Sequence, residues 1–336
     1  MSSESQASVT IISVFYNREG YVDRSIKSIV DQTYPNVNIL LVDDGSKDKT
    51  YEELKKFESS KVTVVTHENK GFTKSIADAL KGIKTDYIAV HGSGDISYPH
   101  RIEKQVQALE ADPDAVMCGV ASQNIHHESL MPIDSQTFPR AKVYVSDFFK
   151  GTPFTHGSVV YRASEYHRFG GYDSRLTYTQ DWDLWLRMLK AGGYALFLEE
   201  MLYARINFPN GASNSAEKAV NQFLHGRAVH YLFNNEDVDR HEFLKNGVTT
   251  ELFRSDPYLR AEMRAGLSRR ALRLRINGMK EESDQLIKFM AIEEMSVTKV
   301  DRSVFLVASV FELMGADLRN LSAFLRRLVN AVRYYR

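Results

Sequence analysis

The chain has 336 residues, 43% of them hydrophobic and 26% charged, and its 43 basic side chains balance 43 acidic ones. This is the composition of a soluble globular protein of about two domains, and a formal net charge of zero argues against a general nucleic-acid binder. The single cysteine, Cys118, excludes a disulfide framework and a cysteine-based zinc site, and suits a small buried hydrophobe in the run AVMCGV.

Residues 1–8, MSSESQAS, are polar, lack the apolar core of a signal peptide, and are expected to be a flexible N-terminus. The run VTIISVFY from Val9 reads as a buried strand. Val22, Ile26, Ile29 and Val30 then recur at helical spacing. NVNILLVDD is a second strand ending in two acids, Tyr51, Leu54 and Phe57 mark a short helix, and KVTVVTH is a third strand. Ile76, Ala79, Leu80 and Ile83 mark the next helix, and DYIAVH is a fourth strand. Unbroken apolar strands alternating with helices predict a parallel sheet covered on both faces. No G-x-G-x-x-G follows the first strand, so the dinucleotide fingerprint is missing.

Beyond the fourth strand the pattern loosens. A helix is predicted over Arg101–Leu109, FTHGSVVYR reads as a strand, and TQDWDLWLRMLKAGG as a helix stopped by Gly192 and Gly193. From Ala216 glycine and proline thin out and strand signals vanish. The expected boundary lies in PNGASNSAE, giving a sheet domain over residues 9–214 and a helical region over 215–336.

Four stretches have residues suited to chemistry. Asp43-Asp44-Gly45-Ser46 closes the second strand. Acids at that end of an open α/β sheet can accept hydrogen bonds from a bound nucleotide, although an Asp/Gly/Ser turn also simply joins strand to helix. Lys74 follows Asn69-Lys70-Gly71 at a helix start and can reach a phosphate or stay solvated. In VHGSGDISYP, Gly92-Ser93-Gly94 ends the fourth strand and leaves one acid, Asp95, as a cation ligand or as a helix cap. In Gln180-Asp181-Trp182-Asp183, Asp181 precedes an apolar stripe of Trp182, Trp185, Leu186 and Leu189, and is placed to cap the helix or to serve as a general base. No histidines show metal-ligand spacing.

In their order and spacing these stretches resemble the family-two glycosyltransferases over roughly residues 9–210. The resemblance rests on SVFYNREGYVDRSIKSIVDQTYPNVNILLVDDGSKDKT, on NKGFTKSIADALKGIKTDYIAVHGSGDISYPHRIEKQ, and on FGGYDSRLTYTQDWDLWLRMLKAGG. It implies a GT-A type nucleotide-binding sheet flanked by helices, with a helical appendage behind it, and an inverting transfer of sugar from a nucleoside-diphosphate donor, UDP-linked by expectation. It places Phe15, Tyr16, Asp43 and Asp44 near the nucleoside, Lys74 near the diphosphate, and Ser93, Gly94 and Asp95 at the donor hinge. It makes Asp95 the ligand of Mg2+ or Mn2+, and Asp181 the catalytic base. The implied acceptor is a glycan or lipid-linked glycan in cell-surface or secreted glycan synthesis. Where the family commonly reads Asp-Ala-Asp-Asp, this chain reads Gly92-Ser93-Gly94-Asp95, which opens a second reading: a sugar-nucleotide-binding protein whose turnover is lost or metal-independent. Gln180 stands where Glu is usual.

No apolar run approaches the ~20 residues that span a bilayer, so a cytoplasmic protein is expected. Leu318, Leu321, Leu325, Leu328, Val332 and Tyr335 share one helical face, with arginines off it. That pattern fits a helix packed on its neighbours, or one lying on the inner face of an anionic membrane.

Overall fold

A computed structural model describes residues 6–149, 152–208, 216–249, 257–276 and 280–292. The chain divides into two compact units, Met1–Phe208 and Pro209–Arg336, a few residues ahead of the boundary expected from composition.

The first unit is built on a sheet. β1 (Val9–Phe15) is followed by α1 (Val22–Val30), β2 (Val37–Asp43), α2 (Thr50–Lys55), β3 (Val62–Thr66), α3 (Phe72–Leu80) and β4 (Tyr87–Val90). Every residue of β1 and β4 is buried, the condition that unbroken apolar runs predict for strands covered on both faces. A turn leads to the short β5 (Ile96–Ser97), α4 (Arg101–Ala111), the long β6 (Ala115–His126), β7 (Pro132–Gln136), β8 (Lys142–Val143) and α5 (Val145–Phe148). β9 (Val160–Arg162), α6 (Ala163–Arg168), α7 (Gln180–Lys190) and β10 (Tyr194–Asn207) complete the unit. The strand expected across FTHGSVVYR is shorter than its apolar run, because His156–Ser158 form a 3-10 turn ahead of β9.

The sheet order is β3-β2-β1-β4-β9-β6-β10-β5, with β7 on β6 and β8 on β10. β1, β2, β3 and β4 run parallel to one another. β9 runs antiparallel between β4 and β6, so the sheet becomes mixed there. From β1 the chain moves out to β2 and β3 and then returns to β4 on the other side of β1. β1 and β4 therefore form a switch point, and it is in the crevice beyond the carboxyl ends of such strands that open α/β sheets receive ligands. The core beneath it joins Val9, Ile11 and Phe15 of β1 to Ile26 and Ile29 of α1, Tyr87 and Ala89 of β4, and Ile102, Val106 and Leu109 of α4. Each such aliphatic or aromatic side chain contributes about 1.5–3 kcal/mol by leaving water. Cys118 lies fully buried in the same core, as expected.

In the second unit α8 (Ala216–Asn234), α9 (Arg240–Phe243), α10 (Pro257–Ile276) and α11 (Lys280–Ile292) are helical. α8, α10 and α11 share a core of Val220, Leu224, Met263, Leu267, Leu286 and Met290. α9 begins at Asp239, whose carboxylate accepts the His241 and Glu242 backbone N–H groups. No described helix is long and apolar enough to cross a membrane. The amphipathic pattern from Leu318 to Tyr335 lies outside the described residues.

Candidate donor and acceptor site

Two loops from neighbouring strands frame the crevice. After β1 come Tyr16, 41% exposed, Asn17 in the left-handed region at φ 51°, and Arg18. After β4 come His91 to Asp95. Phe15, expected beside the nucleoside, lies instead in the core with no exposed surface, because β1 is covered on both faces. Tyr16, one residue on, is the aromatic that faces outward.

The acids at the end of β2 also turn inward. Asp43 accepts from Thr66 Oγ1 at 2.8 Å and from the Ser46 N–H at 3.3 Å. Asp44, 2% exposed, accepts from the Lys70 and Gly71 N–H groups at 3.0 Å each and from Ser75 Oγ at 2.7 Å, and Asn69 Nδ2 donates to it at 3.3 Å. Through these bonds Asp44 fastens the loop that launches α3. Lys74 stands 3.5 Å from Asp78, which Lys70 and Lys81 also hold, at 2.8 and 2.7 Å. These lysines, Lys70 first, keep the Asp78 carboxyl well below the usual carboxylate range.

The hinge after β4 is held from below. Asp95 is 7% exposed, and its oxygens accept from Tyr203 Oη at 2.6 Å and from the Ile206 N–H at 2.8 Å, both on β10. Tyr203 Oη in turn accepts the Gly92 N–H at 2.9 Å. Arg101, fully buried, donates to Val90 O at 2.9 Å and Gly157 O at 2.6 Å, and its guanidinium lies over the Tyr203 ring. Burial pushes the Asp95 carboxyl up, while Tyr203, Ile206, Arg205 and Arg101 pull it back.

A divalent cation at this hinge would have Asp95 as its single carboxylate, with donor phosphates and water completing the shell. Each Asp95 oxygen accepts one hydrogen bond from β10, so Asp95 braces the hinge on that strand, and the ligand role expected for it would rest on the lone pairs that remain. The positions on either side of Ser93, itself half-buried, are glycines with no space for a carboxylate. A Cβ at Gly92 would collide with the Asp95 carboxylate, and one at Gly94 would lie 2.6 Å from Phe208 Cζ. Gly94 also sits at φ +92°, where a side chain is strained. Among the described residues no three His, Cys, Asp or Glu side chains are grouped to hold a metal. Gly94→Asp is therefore expected to lower the melting temperature without creating an Mn2+ site; a gain of Mn2+ affinity on titration would contradict this.

His91 lies under the hinge, with its ring nitrogens 3.0 Å from Ser25 Oγ and 3.1 Å from Ser97 Oγ. Ser25 Oγ also accepts the Gly94 N–H at 3.1 Å. Burial, and then the Arg101 charge, hold His91 well below the usual histidine range. Burial likewise lowers His156. Both rings are thus biased toward the neutral form in the fold, whereas an unfolded imidazole takes a proton below about pH 6.5. The unfolded state then binds more protons, so stability falls as pH drops below that value, by up to about 1.4 kcal/mol per pH unit for each histidine. The melting temperature is expected to fall between pH 7 and 5.5; a flat profile would show that these rings are not held neutral.

Asp181 occupies the first turn of α7. Thr179 precedes it at φ 56°, a left-handed angle that costs a β-branched residue about 1–3 kcal/mol and is typical of constrained sites. Asp181 is half-buried, and its Oδ1 accepts the Trp182 N–H at 2.8 Å. Oδ2 accepts no hydrogen bond and the carboxylate makes no ion pair among the described residues. Asp183, two residues on, is 2% exposed and bound by Arg187 Nε and Nη2 at 3.0 and 2.8 Å. Arg187 also donates to Phe169 O and Gly171 O, tying the preceding loop to the helix. Close to Asp181 lies a buried chain of neutral groups. Trp185 Nε1 donates to Tyr161 Oη at 2.8 Å, Tyr161 Oη is 3.1 Å from Tyr172 Oη, and Tyr172 Oη is 2.7 Å from His156 Nε2. The Asp181 charge acts on His156, Tyr161 and Tyr172. Of the stripe expected on α7, Trp185, Leu186 and Leu189 are buried core and Trp182 is half-buried.

Sequence reasoning missed Arg18, Arg101, Tyr203 and Phe208. Arg18 had a signal, since it follows Tyr16-Asn17 at the carboxyl end of β1. The others act through partners far away in the chain.

The profile of the family described as Glycosyl transferase family 2 matches residues 10–170. EpsE of Bacillus subtilis, named as a glycosyltransferase, is 33% identical over 206 residues, covering 58% of this chain and 71% of its own. A Rickettsia typhi protein named as an uncharacterized glycosyltransferase, RT0329, is 30% identical over 205 residues, covering 59% and 64%. Two solved structures share the fold. S. aureus TarS 1-349 in complex with UDP aligns at TM-score 0.56 and 14% identity, over 89% of this chain and 91% of that one. The mannosyltransferase PcManGT from Pyrobaculum calidifontis, in complex with GDP-Man and Mn2+, aligns at TM-score 0.55 and 16% identity, over 92% and 88%. The mixed sheet with flanking helices is thus of the GT-A type.

Proposed function

Because the chain belongs to glycosyl transferase family 2, we propose that it moves a sugar from a nucleoside-diphosphate donor, UDP-linked by preference, to an acceptor hydroxyl with inversion at the anomeric carbon. The donor lies in the crevice beyond β1 and β4, its base beside Tyr16 and its diphosphate toward the Gly92–Asp95 hinge. TarS, similar in fold, was solved with UDP and PcManGT with GDP-Man, which supports a nucleotide donor of this kind. The acceptor is a glycan or lipid-linked glycan.

The observation that carries the reading is the contrast between two acids on one helix. Asp183 is neutralised by Arg187, whereas Asp181 keeps one oxygen open beside groups that burial holds neutral. An open carboxylate without a cation partner is suited to take a proton. In a single displacement the acceptor oxygen bonds to the anomeric carbon as its proton passes to Asp181. The bond from that carbon to the phosphate oxygen breaks, and the nucleoside diphosphate leaves with the electron pair. The test is incubation with UDP- and GDP-sugars, scored by nucleotide release and by NMR of the anomeric configuration. An α-linked donor should yield a β-product; a retained configuration would overturn the mechanism, and no nucleotide release with any donor and acceptor tried would favour a sugar-nucleotide binder without turnover.

A further inference from the structure

The hinge glycines leave no space for further carboxylates, and what stands beside them is aromatic and cationic. Phe208, just past the end of β10, would meet any side chain at Gly94. Its ring packs edge-on against Tyr21 with centroids 4.6 Å apart, and the Arg18 guanidinium carbon lies 4.5 Å from its centre. Arg18 enters from the loop after β1 and the glycine hinge from the loop after β4, so the cation stands at the switch-point crevice. Its Nη1 donates to Asn17 O at 3.0 Å, while its Nε is buried with no hydrogen-bond partner. No carboxylate lies within ion-pair distance of it among the described residues, and Asp48 and Asp95 act on it only from farther away. A half-buried guanidinium held on a ring face, with donors to spare, is an anion receptor: its planar fork matches phosphate oxygens.

We propose that Arg18, seated on Phe208, binds the donor diphosphate and supplies the positive charge that a protein-held divalent metal would otherwise supply, so that nucleotide binding by this chain does not depend on a metal. The proposal rests on the nucleotide-donor reading above. Tyr21 and Phe208 fix the guanidinium, and Gly94 lets the hinge approach that ring without a side chain between them.

The test is calorimetric titration of the full chain with UDP and with GDP, in excess chelator and in Mn2+. At least one nucleotide should bind with affinities that agree within about two-fold between the two conditions. Arg18→Ala should weaken its binding roughly 10- to 100-fold, the loss expected for a charge-assisted hydrogen bond, and Arg18→Lys should restore part of it. The bare nucleoside, followed by saturation-transfer NMR, should bind the parent and Arg18→Ala alike, which separates lost phosphate contact from a damaged fold. Binding that requires Mn2+, or an Arg18→Ala variant as tight as the parent, overturns the proposal and leaves the donor reading standing. If neither nucleotide binds in either condition, the donor reading fails and takes the proposal with it.

Discussion

Asp181→Asn is expected to cut sugar transfer by about 10²- to 10⁴-fold, the usual contribution of a general base, with nucleotide affinity unchanged. The amide keeps the shape of the side chain, and its oxygen can still accept the Trp182 N–H that Oδ1 accepts at 2.8 Å. What it loses is the capacity to take the acceptor's proton. Asp183→Asn is the informative control. That carboxylate is locked to Arg187, which also reaches Phe169 O and Gly171 O, so its loss should appear first in the melting temperature. The measurement is kcat with saturating donor and acceptor, beside nucleotide affinity and thermal melts for both variants. An Asp181→Asn enzyme turning over at the parental rate would reduce Asp181 to a helix-start residue, and a larger kcat loss in Asp183→Asn than in Asp181→Asn would reverse their roles.

The sequence was most legible where local pattern and tertiary role coincide. β1 and β4 read as unbroken apolar runs because both faces of the sheet are covered, and α7 was visible because Trp185, Leu186 and Leu189 recur on a single face. Site residues were legible by position and not by direction. Phe15 and Tyr16 are adjacent at the end of β1, yet one is core and the other exposed. The orientation of Asp44 depended on donors in Asn69–Ser75, and that of Asp95 on Tyr203 and Ile206. A lone acid after two glycines looks like a depleted metal motif, and its bracing of the hinge through β10 is visible only in the fold. Phe208 gave no signal, because its meaning lies in Gly94 and Arg18, which reach it only through the sheet topology.

The same geometry makes Asp95→Ala a stability variant. Removing the carboxylate leaves Tyr203 Oη without its acceptor and the Ile206 N–H without a partner, in a region that water barely reaches. It also removes a negative charge that acts on the fully buried Arg101, whose own bonds to Val90 O and Gly157 O brace the end of β4. Leaving two buried polar groups unpaired in this way costs about 2–6 kcal/mol. For a unit of this size that corresponds to a fall in melting temperature of roughly 10 °C. Asp95→Asn should cost less, since its amide oxygen still accepts from one of the two donors. A metal ligand would behave differently: Asp95→Ala would then melt like the parent, and its defect would show only in the response to Mn2+. Melting curves of the three proteins, each with Mn2+ and with chelator, separate the cases. A parental melting temperature for Asp95→Ala, together with a lost Mn2+ shift that the parent displays, would return Asp95 to the metal and overturn both its structural role and the metal-free donor site built on Arg18.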